Sequence, residues 1–214
     1  PVPQASSMKV PVPPPPPIAV DRVTGDLFGL TIPAHEAALR EDGAEFLTTA
    51  FRAFDALGPE NAVESITALE RCPGGSTGAK FFLTLAYSKP DPSLETRLFV
   101  KFSRDFADAH RDHPGRYEMA EEVPFMAIAR DPSFPIATAK PYFADYQMET
   151  GTGLTITECV TFGQNGIEPH RGKCLDFMTL DDPLPYYRAI VTGLARLCGA
   201  HKAGNLPVET DTLF

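Results

Sequence analysis

Gly74-Gly75-Ser76-Thr77-Gly78 is the most glycine-dense stretch of the chain. Glycines let backbone N–H groups approach an anion closely, so such a loop can cradle phosphates. It is not a Walker A loop, because Ala79 separates Gly78 from Lys80 and the Gly-Lys-[Ser/Thr] triplet is missing. A Rossmann turn opens a helix, whereas here Phe81, Leu83, Leu85 and Tyr87 alternate with Phe82, Thr84, Ala86 and Ser88, the period of a strand. What remains is a glycine loop between two antiparallel strands.

The second candidate group is Lys101, near the end of the alternating run Leu94 to Phe102. Leu98, Val100 and Phe102 share one face, which puts Lys101 on the other with Phe99 and Arg97. It is either a solvated cross-strand charge or a cation serving an anion. The second role needs a helical carboxylate to hold the ammonium against phosphates. Glu118, Glu121 and Glu122 are candidates; Glu118 and Glu122 lie one helical turn apart and share a face. Glutamates early in a helix also complement its dipole, so the cluster by itself does not select that role.

The elements that must position these groups follow from periodicity. Leu47, Ala50, Phe51 and Phe54 recur at helical spacing within Glu41 to Leu57, and Gly58-Pro59 ends the pattern. A short strand is expected over Val63 to Leu69, then the glycine loop, then a hairpin turning at Lys89 to Ser93. From Arg116 to Arg130 the period is helical through Met119, Val123 and Met126; Pro124 inside it predicts a kink or two short helices meeting. Ala137 to Tyr146 and Leu154 to Val160 read as strands around the turn Glu149 to Gly153. After a polar stretch over 161–183 comes an amphipathic helix from Leu184 to His201, with Tyr187, Ile190, Val191, Leu194, Leu197 and Cys198 on one stripe. This order is an α+β layout.

The chain of 214 residues is 43% apolar, which suffices for a sizeable core. No apolar run reaches membrane-spanning length and no secretory leader pattern is present, so a soluble cytoplasmic protein is expected. Cys72, Cys159, Cys174 and Cys198 lack Cys-x-x-Cys or metal-ligand spacing and read as reduced thiols, three of them at least partly buried. A formal charge of −9 repels phosphate backbones, which argues against nucleic-acid partners. Residues 1–20, with the run Pro13 to Pro17, favour polyproline II and read as a disordered tail; no Arg flanks them at the spacing of an SH3-type ligand.

The glycine loop, the strand Leu98-Phe99-Val100-Lys101-Phe102, the segment Glu122-Val123-Pro124-Phe125-Met126, the strand Thr155-Ile156-Thr157-Glu158-Cys159-Val160 and the helix ending Leu194 to His201 together resemble the aminoglycoside phosphotransferase family, and its ecdysteroid-kinase-like branch most. The likeness covers residues 45–203 in order. It implies a protein-kinase-like N-lobe over residues 21–160 and a linker with the first helix of a C-lobe over 161–214. It also implies that Gly74, Gly75, Ser76, Thr77 and Gly78 cover the phosphates of ATP and that Lys101 meets the α- and β-phosphates with Glu122 as its partner. Glu158 and Val160 would offer backbone groups to the adenine edge, and Thr157 would line the back of the pocket. Pro124, and Met126 in place of an aromatic, depart from the family pattern.

His110-Arg111-Asp112 spells a kinase catalytic triplet and Asp176-Phe177-Met178 nearly spells the magnesium one, but both stand at the wrong place in the order. Pro114-Gly115 argues for a loop there, and His110 and His113 lack a third metal ligand. The family's catalytic loop and its magnesium ligands are expected downstream of Phe214. The expectation is therefore the nucleotide-binding portion of an ATP- and Mg-dependent phosphotransferase acting on a small-molecule hydroxyl, inactive by itself, without nucleic-acid or membrane partners, and self-associating through an exposed apolar face. The competing readings are a non-catalytic nucleotide- or protein-binding module on the same lobe and an interaction domain that binds no nucleotide.

Overall fold

The computed structural model describes residues 20–169, 180–207 and 210. Its order is β1 (Arg22–Thr24), β2 (Thr31–Pro33), α1 (Glu36–Glu41), α2 (Gly43–Ala53), β3 (Val63–Arg71), β4 (Ala79–Tyr87), β5 (Arg97–Phe102), α3 (Ala109–Ala129), β6 (Pro141–Gln147), β7 (Thr152–Glu158) and α4 (Leu184–Lys202). The class is α+β: a five-stranded antiparallel sheet of order β3-β4-β5-β7-β6, plus a two-stranded sheet of β1 and β2. The residues read as the tail, 1–20, lie outside the described part except Val20.

Alternation decides the sheet. In β4 the odd positions Ala79, Phe81, Leu83 and Leu85 are buried, and in β5 Leu98, Val100 and Phe102 are fully buried. Opposed residues of antiparallel strands point to one side, so these form one apolar face with Leu154 and Ile156 of β7. The apolar stripe of α2, Phe46, Leu47, Ala50 and Phe51, belongs to the same core. Phe46 and Phe54 meet the Phe143 ring of β6 edge-on at centroid distances of 5.8 and 6.1 Å, and Phe51 meets Tyr142 at 5.3 Å.

The structure departs from the periodicity reading in three places. Folded structure begins before Glu41, with β1, β2 and α1; strands of three residues are too short to show a period. Helix α3 starts at Ala109, not Arg116, and its backbone runs through Pro114-Gly115, where a loop was expected. Its first turn is pinned from outside: Asp108 accepts from the His110 N–H, and Asp112 is bound by the buried Arg104. Those ties outweigh the local penalty of a proline. Nor do two helices meet at Pro124, because burial of Met119, Val123, Ala127 and Ile128 on either side holds one continuous helix.

Helix α4 forms over the expected residues, yet none of them is buried; Ile190, Val191 and Leu194 of its apolar stripe are exposed. No helix among the described residues is long and apolar enough to cross a membrane.

Candidate functional site

The second face of the sheet carries the polar chemistry. Register pairs Lys80 with Lys101 and Lys101 with Thr155, so these three form one row across β4, β5 and β7. Two residues along the strands, Phe82, Phe99 and Thr157 form the next row. The two rows are therefore about 7 Å apart. The Phe82 and Phe99 rings touch at a centroid distance of 6.0 Å, and the Arg97 guanidinium lies 4.9 Å from the Phe82 ring centre. A cationic row thus adjoins an aromatic one on a single sheet face.

Lys101 is not a free surface charge. Its side chain is 16% exposed and its Nζ donates to Oε1 of Glu122 on α3. Of the three candidate glutamates the structure brings only Glu122 to the lysine, while Glu118 and Glu121 are exposed. The helix phase decides this: Met119 and Val123 are buried, and Glu122 stands at the edge of that stripe, facing the sheet.

The loop between β3 and β4 lies beside the cationic row. Gly78 has φ +57°, and a Cβ there would come within 2.0 Å of the Phe102 carbonyl oxygen, so only glycine lets the chain pass β5 so closely. A Cβ on Gly75 would lie 2.5 Å from Lys80 Nζ, which places the loop against that ammonium. Lys80 Nζ donates to the Thr77 carbonyl. From α3, the Arg111 carbonyl accepts from the Gly78 N–H at 3.3 Å, and Arg111 Nη1 lies 3.5 Å from the Gly74 carbonyl. Thr77 and Gly78 are buried, whereas Gly74, Gly75 and Ser76 are exposed.

Beyond the aromatic row opens a cleft of about 810 Å3 lined by Phe82, Phe99, Thr157, Glu158, Val160 and Phe162, among others. Thr157, Glu158 and Val160 thus come together, with Cys72 and Pro73 before the loop on the same cleft, although Lys101 is not on its wall. The Glu158 N–H bonds the Lys140 carbonyl at 2.8 Å, and the Thr157 hydroxyl donates to the Glu158 carbonyl at 3.1 Å. A hollow of similar size, about 880 Å3, between Phe54, Ile128, Phe134 and Lys140, contains none of the candidate residues and none of the glycine loop.

Sequence reasoning passed over Lys80 and Arg111. Lys80 enters the sequence reading only as the lysine that Ala79 separates from Gly78; its alternation with Phe82 puts it on the Lys101 face. Arg111 was set aside inside the His110-Arg111-Asp112 triplet. In the structure that triplet is the first turn of α3: Asp112 pairs with Arg104, and Arg111 reaches the glycine loop. Phe82 and Phe99 shared the polar face in the same way as Lys101.

Burial, with the nearby Lys101 and Arg111 charges, pushes the Lys80 ammonium below the usual lysine range; Glu122 and Cys72 act in the opposite sense. Among the described residues no three His, Cys, Asp or Glu side chains converge as a metal site. Cys72 and Cys159 are partly buried and Cys198 is exposed, all as free thiols; Cys174 and Asp176 lie outside the described residues. Comparison of the chain with family models, with curated proteins and with solved structures gives no match.

Proposed function

We propose that this chain carries the ATP-binding lobe of a phosphotransferase that acts on a small-molecule hydroxyl. The observation that carries the reading is the ion pair between Lys101, on the third strand of the five-stranded sheet, and Glu122, on the helix inserted after it. The strands on either side of the glycine loop are the first two of that sheet, which supports a kinase-like arrangement of lid, lysine and helical glutamate. The family likeness of these same residues supports it further.

The residues fit the nucleotide. The loop from Gly74 to Gly78 would cover the phosphates, and Lys101, oriented by Glu122, would neutralise them. A cleft of about 810 Å3 is within the range of small-molecule sites, and its Phe82 and Phe99 rings would receive an adenine face. The Glu158 carbonyl and the Val160 N–H would meet the edge of the base, with Thr157 behind it. Bound ATP would supply the transferable phosphoryl group, and magnesium would screen its charge. No metal ligand is assigned within this chain.

Titration calorimetry with ATP tests the reading. Wild type is expected to bind, and Lys101→Ala to weaken binding about tenfold or more, the value of one charge-assisted hydrogen bond to phosphate. Equal binding by the two proteins would remove Lys101 from the phosphate site.

A further inference from the structure

We infer that Lys80 is a second phosphate-binding lysine, which together with Lys101 and with Arg111 at the loop makes the glycine-loop site selective for a polyphosphate chain over the nucleoside that carries it. The inference rests on the proposed nucleotide site and deepens it.

Three observations carry it. First, Lys80 and Lys101 are direct cross-strand partners on β4 and β5, on the same sheet face. Like charges opposed in this way repel; Glu122 offsets part of that repulsion, and a bound anion would offset more. Glu122 is paired with Lys101, and Lys80 spends its own hydrogen bond on a neutral carbonyl, that of Thr77. Second, the loop that would cover the phosphates rests on Lys80 itself, since a side chain on Gly75 would run into its Nζ. An anion held under the loop would therefore lie beside this ammonium. Third, Arg111 adds a further cation at the Gly74 end; its guanidinium is partly exposed and makes loose contacts with Asp108 at 3.4 Å and the Gly74 carbonyl at 3.5 Å.

The titratable and charged groups that act on Lys80 are Lys101 from β5, Arg111 and Glu122 from α3, and the Cys72 thiol just after β3. The cations outnumber Glu122 and depress the affinity of Lys80 for its proton, with burial as the larger cause. A polyphosphate would reverse that depression. Binding at alkaline pH is then expected to draw a proton onto Lys80.

The test is calorimetry of the full chain with inorganic triphosphate, ATP and adenosine, for wild type, Lys80→Met, Lys80→Arg and Arg111→Met, with circular dichroism to verify folding. Lys80→Met is expected to weaken triphosphate and ATP about tenfold or more and to leave adenosine within about twofold; Lys80→Arg is expected to recover most of the loss. Arg111→Met is expected to weaken triphosphate by a smaller factor of about threefold, because that side chain is partly exposed. Titrations in two buffers of different ionisation enthalpy are expected to show proton uptake for wild type that disappears in Lys80→Met, which a lysine that merely tethers the loop would not produce. Triphosphate affinity unchanged within about twofold in Lys80→Met, or proton uptake that persists in it, overturns the inference. The two proposals part cleanly. Lys80-dependent triphosphate binding without adenine-nucleotide binding sustains the anion site and removes the ATP reading. ATP binding that responds to Lys101→Ala but not to Lys80→Met does the reverse. If wild type binds neither ligand, both fall.

Discussion

Asp112→Ala is expected to lower the unfolding free energy by about 3–5 kcal/mol, the cost of stripping one partner from a buried ion pair. Arg104 is among the largest fully buried side chains, and its guanidinium donates to both Asp112 oxygens, from Nε at 2.7 Å and from Nη2 at 2.9 Å. The same carboxylate accepts the Asp105 N–H at 3.0 Å, so it ties the segment after β5 to the first turn of α3. Without it the Arg104 charge stays buried and loses its paired carboxylate, keeping among its contacts the Thr150 carbonyl at 3.3 Å, the Thr152 hydroxyl at 3.4 Å and the Phe106 ring, 4.6 Å from its centre. Urea unfolding of the variant is the measurement; a loss under about 1 kcal/mol would show that water reaches Arg104 freely.

The pH dependence of this tie has a definite sign. Burial alone would raise the Asp112 carboxyl, but the hydrogen bonds from Arg104 and from the Asp105 N–H, with the charges of Arg104 and Arg116, hold it below the ordinary aspartate value of 3.8. A depressed carboxyl contributes stability that is complete above its unfolded-state value and is lost as pH falls through the folded-state one. Wild type is therefore expected to lose stability below about pH 4. Asp112→Asn should flatten that acid limb while lowering the plateau, as read from urea midpoints across pH.

The second large effect is expected at Asp145, which is fully buried on β6. Its Oδ1 accepts the backbone N–H of Leu27 at 3.0 Å and of Tyr146 at 2.8 Å, and its Oδ2 accepts that of Phe28 at 3.1 Å. The carboxylate thereby fastens the β1–β2 connection to the main sheet. Gly25 makes room for it, since a Cβ there would lie 2.2 Å from the carboxylate. Asp145→Ala orphans three N–H groups and is expected to cost about 3 kcal/mol or more. Hydrogen exchange should locate the damage first in Arg22–Pro33, ahead of β4 and β5, and uniform protection across both regions would contradict this. Burial pushes the Asp145 carboxyl up, outweighing its three hydrogen bonds. Its pH contribution thus runs opposite to that of Asp112: present in full below the ordinary carboxyl range and lost as pH rises through the raised value.

These two carboxylates also show where sequence reading stops. Asp112 was legible only as part of a catalytic-looking triplet, because nothing local announces that Arg104, eight residues earlier, turns inward to meet it. Asp145 falls inside the expected strand Ala137 to Tyr146 with nothing local to mark it; its role depends on a segment 118 residues away in the chain. Long-range ties of this kind leave no periodicity, and the short strands and first helical turn that depend on them were missed with them.

What the sequence determined by itself was the set of elements and their faces. Alternation in Ala79–Tyr87 and Arg97–Phe102 separates an apolar side from one bearing Lys80, Phe82, Phe99 and Lys101, because side-chain direction in a strand follows parity alone. Helical spacing likewise marked the stripes of α2 and α4. Only the tertiary structure decided that β7 lies between β5 and β6, that Glu122 and not Glu118 or Glu121 reaches Lys101, and that α3 persists through Pro114 and Pro124. Each of those outcomes depends on the rotation and depth at which one element packs on another, a property of the whole core that no local pattern contains.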